Sequence, residues 1–182
     1  MKRRDFIKNS SLLIFVGAIN TNLFAHAKNI DFRSVEPEKA EILQKIKNRD
    51  FCYICGMKLS KFYKTNHAAK ANGEIHQYCS IRCMVYDALQ NGSKPVEPLV
   101  VDTINLNFID AQKAFYVYGS TMPATMTKIS SYGFLHKDEA VKFKDKFGGK
   151  ILNYDEIYLE TKALFSDDLS QKREKMMHHH NH

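Results

Sequence analysis

Four cysteines in two close pairs constrain this chain more than any other feature. Cys52 and Cys55 form a C-x2-C pair, Cys79 and Cys83 form a C-x3-C pair, and 23 residues lie between Cys55 and Cys79. A tight turn carrying one pair and a helix start carrying the other can converge on a single ion, because thiolates are the usual ligands of tetrahedral soft-metal sites. Three readings follow from the spacing: a structural Zn2+ site of four thiolates, disulfides in an oxidising compartment, or a soft-metal site in which only some cysteines are ligands. Spacing alone ranks zinc ahead of copper and disulfides third.

The methionines shift that weighting. Met57 follows Cys55 after one glycine, in Cys52-Tyr53-Ile54-Cys55-Gly56-Met57, and Gly56 allows a turn tight enough for thiolate and thioether to face one ion. Met84 directly follows Cys83, and Gly119-Ser120-Thr121-Met122-Pro123-Ala124-Thr125-Met126 sets two methionines in a loop rich in turn-forming residues. Thioethers are poor ligands for Zn2+ and good ones for Cu(I). A methionine taken alone is more often core packing, yet Met122 and Met126 beside Gly and Pro are harder to read that way. Of the histidines, His76 stands three residues before Cys79 and is a further candidate ligand, although a packed strand histidine explains it as well. His67 and His136 read as structural or solvent-facing. The terminal Met176-Met177-His178-His179-His180-Asn181-His182 either captures metal weakly or is a tail of no consequence.

The first residues read as an address. Lys2-Arg3-Arg4-Asp5-Phe6-Ile7-Lys8 is followed by an apolar stretch, Leu12–Phe24, interrupted by Asn20, Thr21 and Asn22, and then by Ala25-His26-Ala27. Basic start, short apolar middle and small-x-small end make residues 1–27 a signal peptide of twin-arginine type, cleaved near Ala27. The expected location is the periplasm. No cysteine stands at the cleavage site, so neither a lipid anchor nor stable membrane insertion is expected after cleavage. The chain's net charge of +7 includes a net +3 from the first eight residues. With no aromatic-interleaved basic stripe, nucleic-acid binding is not expected.

The rest predicts an α+β chain. Residues 28–48 form a lead-in or linker, in which Ile42, Leu43 and Ile46 share one face of a short amphipathic helix. Residues 49–104 form a Cys-rich β-β-α-β unit. Its strands, His67–Ala71 and Glu74–Tyr78, flank an Asn72-Gly73 turn; a helix runs from an N-cap at Ser80 to Asn91-Gly92, and a strand closes the unit near Pro98–Asp102. Residues 105–160 repeat the order, with strands within Phe108–Tyr118 and Thr127–Leu135, a helix over Lys137–Phe147 stopped by Gly148-Gly149, and a strand over Lys150–Tyr154. Residues 161–182 form a polar tail.

Several of these segments resemble the NosL family of nitrous oxide reductase accessory proteins. Cys55-Gly56-Met57 matches its Cys-Gly-Met signature, and Tyr78-Cys79-Ser80-Ile81-Arg82 its aromatic-Cys segment at a helix start. The longest stretch is Ile109-Asp110-Ala111-Gln112-Lys113-Ala114-Phe115-Tyr116-Val117-Tyr118-Gly119-Ser120, followed by Met126, Phe134 and Gly148-Gly149-Lys150. The resemblance implies a fold of two tandem β-β-α-β units related to the organomercurial lyase core. It also implies Cu(I) binding, with delivery toward nitrous oxide reductase through its membrane maturation machinery of ABC type. By motif match, Cys55, Met57 and Met126 are the first copper ligands, with Met122 and Cys52 next and Cys79 in the aromatic-Cys segment. Cys83 departs from the family's pattern and keeps a zinc-like or mixed site open.

The sequence shows no general base and no positioned Ser/His/Asp set, so no catalysis is assigned. Two alternatives remain: a zinc-stabilised, TRASH-like interaction module needing all four cysteines and no methionine, and a periplasmic thiol oxidoreductase using Cys52 and Cys55. Against the second, the C-x2-C does not open a helix after a strand.

Overall fold

The computed structural model describes residues 31–71 and 73–165. The expected signal peptide over residues 1–27, residues 28–30 of the expected lead-in segment, Asn72, and residues 166–182 with the Met/His cluster lie outside them. Two antiparallel sheets carry the fold. The first contains β1 (His67–Ala71), β2 (Glu74–Tyr78), β3 (Val96–Val101) and β4 (Phe108–Asp110), in the order β2-β1-β3-β4. The second contains β5 (Phe115–Tyr118), β6 (Ser131–Phe134) and β7 (Lys150–Leu152), in the order β6-β5-β7. Helix α1 (Ile81–Asn91) packs on β1 and β2, and α2 (Lys137–Phe147) packs on the second sheet. The expected order β-β-α-β therefore occurs twice, as β1-β2-α1-β3 and β5-β6-α2-β7.

The β1–β2 hairpin pairs Ala71 with Glu74 across its two-residue turn, as the Asn-Gly dipeptide predicts. Helix α1 starts where expected. Ser80 holds the N-cap position with an extended backbone, and its carbonyl accepts the Cys83 and Met84 N–H groups, but its hydroxyl makes no cap bond. Ile81, Cys83, Met84 and Val85 are buried in a core shared with Cys52, Leu59, Tyr78, Cys79 and Val100. A second core gathers Val117, Tyr132, Phe134, Ala140 and Phe143, with Phe32 edge-on to Tyr132 at 5.6 Å.

The sheets meet at Gly133. An isolated parallel bridge joins Asp102 to Gly133, and the Gly133 carbonyl accepts both the Thr103 N–H, at 2.9 Å, and the Thr103 hydroxyl, at 2.8 Å. A Cβ at 133 would come within 2.7 Å of a Val100 methyl, so this contact requires a residue without a side chain.

Four features differ from the sequence expectation. The lead-in helix is absent: only Pro37–Lys39 forms a single 3-10 turn, and residues 41–45 carry no helix. Two buried glutamines hold this segment open instead. Gln77 accepts the Leu43 N–H at Oε1 and donates from Nε2 to the Glu41 carbonyl; Gln44 donates to the Arg49 and Phe51 carbonyls at 2.7 Å and accepts the Gln77 N–H. Backbone groups that a helix would pair internally are thus paired with side chains.

Residues 108–110 belong to the first sheet rather than to the second unit, because a tight turn (Leu106 N–H to the Asp102 carbonyl, Asp102 N–H to the Asn107 carbonyl, both 2.9 Å) lays β4 back beside β3. The strand expected over Thr127–Leu135 is confined to Ser131–Phe134, since the Thr127 hydroxyl bonds both the N–H and the carbonyl of Ile129 and turns the chain there. Finally, the closing strand expected over Lys150–Tyr154 ends at Leu152, and residues 154–165 form a third helix, α3, that runs into the segment expected to be a polar tail from residue 161. Asn153 and Glu156 bond each other's backbone N–H groups reciprocally, a capping box. Tyr154, Ile157 and Thr161 are buried at helical spacing.

Candidate metal centre

Three local structures bring the cysteines together. The first pair sits in a knuckle closed by a bridge between Phe51 and Lys58; within it the Cys52 N–H donates to the Met57 carbonyl at 2.8 Å and the Gly56 N–H donates to the Cys52 carbonyl at 3.0 Å. Gly56 takes φ +70°, left-handed backbone that favours glycine. The knuckle is tied to the end of β2 by the Tyr53 N–H on the Gln77 carbonyl. Cys79 follows β2 directly, and Cys83 lies in the first turn of α1.

The four Sγ atoms all lie within 4.8 Å of one another. Cys55 and Cys79 are 3.4 Å apart, and Cys79 and Cys83 are 3.7 Å apart. A tetrahedron of metal–thiolate bonds of ~2.3 Å has edges of about 3.8 Å, so the cluster has the dimensions of a site for one ion. Cys52, Cys79 and Cys83 are buried, whereas Cys55 is half-buried. Among the described residues this is the one group of three or more Cys, His, Asp and Glu side chains with metal-binding proximity, and no histidine belongs to it.

The electrostatics suit a cation. Hydrogen bonds from Cys79 and Cys83 hold the Cys52 thiol far below the usual thiol range. The Cys52 interaction, then Cys83 and burial, push Cys79 up; its hydrogen bond to Cys52 likewise raises Cys83, with burial adding to it. Without an ion, Cys52 is thus shifted toward the thiolate, while Cys79 and Cys83 are shifted toward the thiol. A bound soft ion would supply the positive charge that lets further thiols ionise.

The structure sorts the remaining sequence candidates. Met57 is half-buried in the knuckle and packs against the core that contains Cys52, Cys79 and Cys83. Met84 is a core residue, 1% exposed. Met122 packs against the second core. Met126 is 42% exposed and has φ +63°. His76 lies outside the sulfur group: its Nδ1 is 3.5 Å from Asp87 Oδ2 and Tyr53 stacks on its ring at 3.5 Å. Asp87 also accepts the Tyr78 hydroxyl at 2.7 Å. His67 is buried, with Nδ1 on the Thr65 carbonyl and its ring stacked on Tyr116. His136 holds the N-cap position of α2.

Sequence reasoning missed Thr65, whose hydroxyl donates to the Cys79 carbonyl at 2.8 Å and also bonds the Thr125 hydroxyl, at 3.0 Å. No sequence pattern marks a contact across that separation. Cys52 and Cys55 sit in a turn rather than at a helix start, which removes the geometric basis for a thioredoxin-like dithiol.

The NosL family model matches residues 43–162 of the 182. The chain belongs to the NosL family. Among solved structures it is similar to the crystal structure of the copper chaperone NosL from Shewanella denitrificans, at 24% identity and a TM-score of 0.49, over 62% of this chain and 92% of that one. The comparison with curated proteins gave no match. The matched span contains all four cysteines, Met57, Met122 and Met126, and both sheets of this NosL-family chain. No helix among the described residues is long and apolar enough to cross a membrane.

Proposed function

We propose that this NosL-family protein is a non-enzymatic, periplasmic carrier of Cu(I) that delivers copper for the maturation of nitrous oxide reductase, through that enzyme's ABC-type membrane machinery. The observation that carries this reading is the cluster of four thiols within 4.8 Å, with a methionine in the same knuckle. Thiolates and thioethers together select Cu(I) over harder ions.

A carrier must also release its cargo. Three of the sulfurs are buried and Cys55 is half-buried, so an incoming ligand has access from the Cys55 side. A partner's thiolate, thioether or imidazole enters there, and the ion passes by ligand exchange. Met57, beside Cys55, and Met126 are the thioethers assigned to the copper; Met122, packed on the second core, is a secondary candidate.

A second reading has a specific observation in its favour. Four thiols at near-tetrahedral separation also suit a structural Zn2+ staple, with the chain then acting as an interaction module. Metal competition separates the two. The reduced full chain is offered Cu(I) and Zn2+ together without oxygen, and bound metal is counted for the parent and for Met57→Leu. Retention of Cu(I) in preference to zinc, weakened by Met57→Leu, supports the carrier. Zinc occupancy indifferent to Met57 sinks it.

A further inference from the structure

The loop that carries Met122 and Met126 is held to the cysteine centre by hydrogen bonds. Arg33 Nη1 donates to the Ala124 carbonyl and reaches Thr125 Oγ1 at 3.4 Å. The Thr125 and Thr65 hydroxyls are 3.0 Å apart, and the Thr65 hydroxyl meets the Cys79 carbonyl at 2.8 Å. Thr65 is 3% exposed and Thr125 4%, so water does not compete freely for these bonds. Arg33 is itself fixed by Asp31 and lies over the Phe62 ring at 4.8 Å. These bonds thus run from Arg33, ahead of the knuckle, through Thr125 and Thr65 to the backbone of Cys79.

Thr125 immediately precedes Met126, whose left-handed backbone fixes the direction in which the chain leaves the anchored residue. An exposed methionine after a buried, doubly bonded threonine is positioned by its neighbour rather than by its own packing. We propose that Thr125 is a positioning residue for copper: its hydroxyl, joined to Thr65 and through it to the Cys79 carbonyl, sets the loop so that the Met126 thioether serves the sulfur cluster. The proposal rests on the copper reading above, with Met126 as a ligand. It adds that the ligand's placement depends on one hydroxyl outside the coordination sphere.

The test is a double-mutant cycle on the full chain, with Cu(I) affinity read anaerobically by competition with bicinchoninate. Thr125→Val keeps the shape and removes the hydroxyl; Thr125→Ser keeps the hydroxyl. Thr125→Val should weaken Cu(I) binding by about tenfold, the usual cost of losing an outer-shell partner, while Thr125→Ser stays near the parent. With Met126→Leu already present, Thr125→Val should cost nothing more. An equal loss in both backgrounds overturns the proposal, because the hydroxyl then acts on the cysteines or on the fold. If Met126→Leu weakens binding but Thr125→Val does not, positioning by Thr125 is wrong and the copper reading survives. If Met126→Leu changes nothing, Met126 is not a ligand and the proposal falls with that assignment. Should Thr125→Val fail to fold, Arg33→Gln, which loosens the same loop from outside, enters the same cycle with the same expected coupling to Met126.

Discussion

Cys55 Sγ lies 3.4 Å from Cys79 Sγ, although 23 residues separate the two in sequence. A disulfide needs about 2.05 Å, so the two sulfurs must close by about 1.4 Å to be joined. Treatment of the metal-free protein with diamide should consume two thiols, transferring two hydrogens to the reagent and joining Cys55 to Cys79. Peptide mass spectrometry reads the cross-link directly. Prior loading with metal should protect all four thiols. A cross-link confined to Cys52–Cys55 would contradict the observed arrangement.

Gly133 should tolerate no side chain. In Gly133→Ala the new Cβ would lie 2.7 Å from a Val100 methyl and 3.4 Å from the Val101 carbonyl oxygen. Overpacking of this kind costs about 1–3 kcal/mol, measurable by denaturant unfolding. The seam lies between the sheets rather than in the knuckle, so metal affinity should stay near the parent value in the folded fraction.

His67 should impose an acid limb on stability. Burial holds its pKa down at about 4, against an ordinary 6.5, despite the partly offsetting bond to the Thr65 carbonyl. Between those values the unfolded chain takes up a proton that the folded chain refuses. Its contribution is therefore complete above pH ~6.5, falls as the pH drops, and levels off near 4, for a total of about 3 kcal/mol. Unfolding free energies of parent and His67→Asn across pH 4–7 check this. The variant should show a shallower slope in that window, whatever its absolute stability.

Gln44 should matter more than its place in a lead-in segment suggests. Its amide donates to the Arg49 and Phe51 carbonyls and accepts the Gln77 N–H, all while fully buried. Gln44→Leu strands these groups and should cost at least about 2 kcal/mol. Because Phe51 precedes Cys52, the variant should also speed removal of bound metal by a chelator. An unchanged off-rate would show that the knuckle holds its shape without this clamp.

What the sequence disclosed and what it hid have physical causes. The β1–β2 hairpin, α1 and α2 were legible because each is a local signal: an Asn-Gly turn, a run from Ser80 at the N-cap position to an Asn91-Gly92 stop, and a double-glycine stop after Phe147. The cysteine cluster was legible for the same reason, since each pair is local and a hairpin spans the gap. The lead-in segment misled because Ile42, Leu43 and Ile46 have helical spacing, while its true conformation is set by Gln77, more than 30 residues away. Helix α3 carried an Asn153–Glu156 capping box and spaced apolar residues, a readable signal masked by the charged composition around it. The placement of β4 and the Thr65–Thr125 link depend on long-range pairing that no local pattern encodes. For the methionines, the sequence offered candidate ligands without their place: Met57 lies in the knuckle, but Met122 packs on the second core.

Cu(I) in this chain should be held by sulfur alone. The most direct measurement is copper K-edge X-ray absorption on the full chain loaded with one equivalent of Cu(I) under anaerobic conditions. The prediction is a first shell of sulfur scatterers only, lost when Cys55 and Cys79 are both replaced by serine. A shell with imidazole nitrogen that survives that double replacement would contradict it and place the copper away from the cluster.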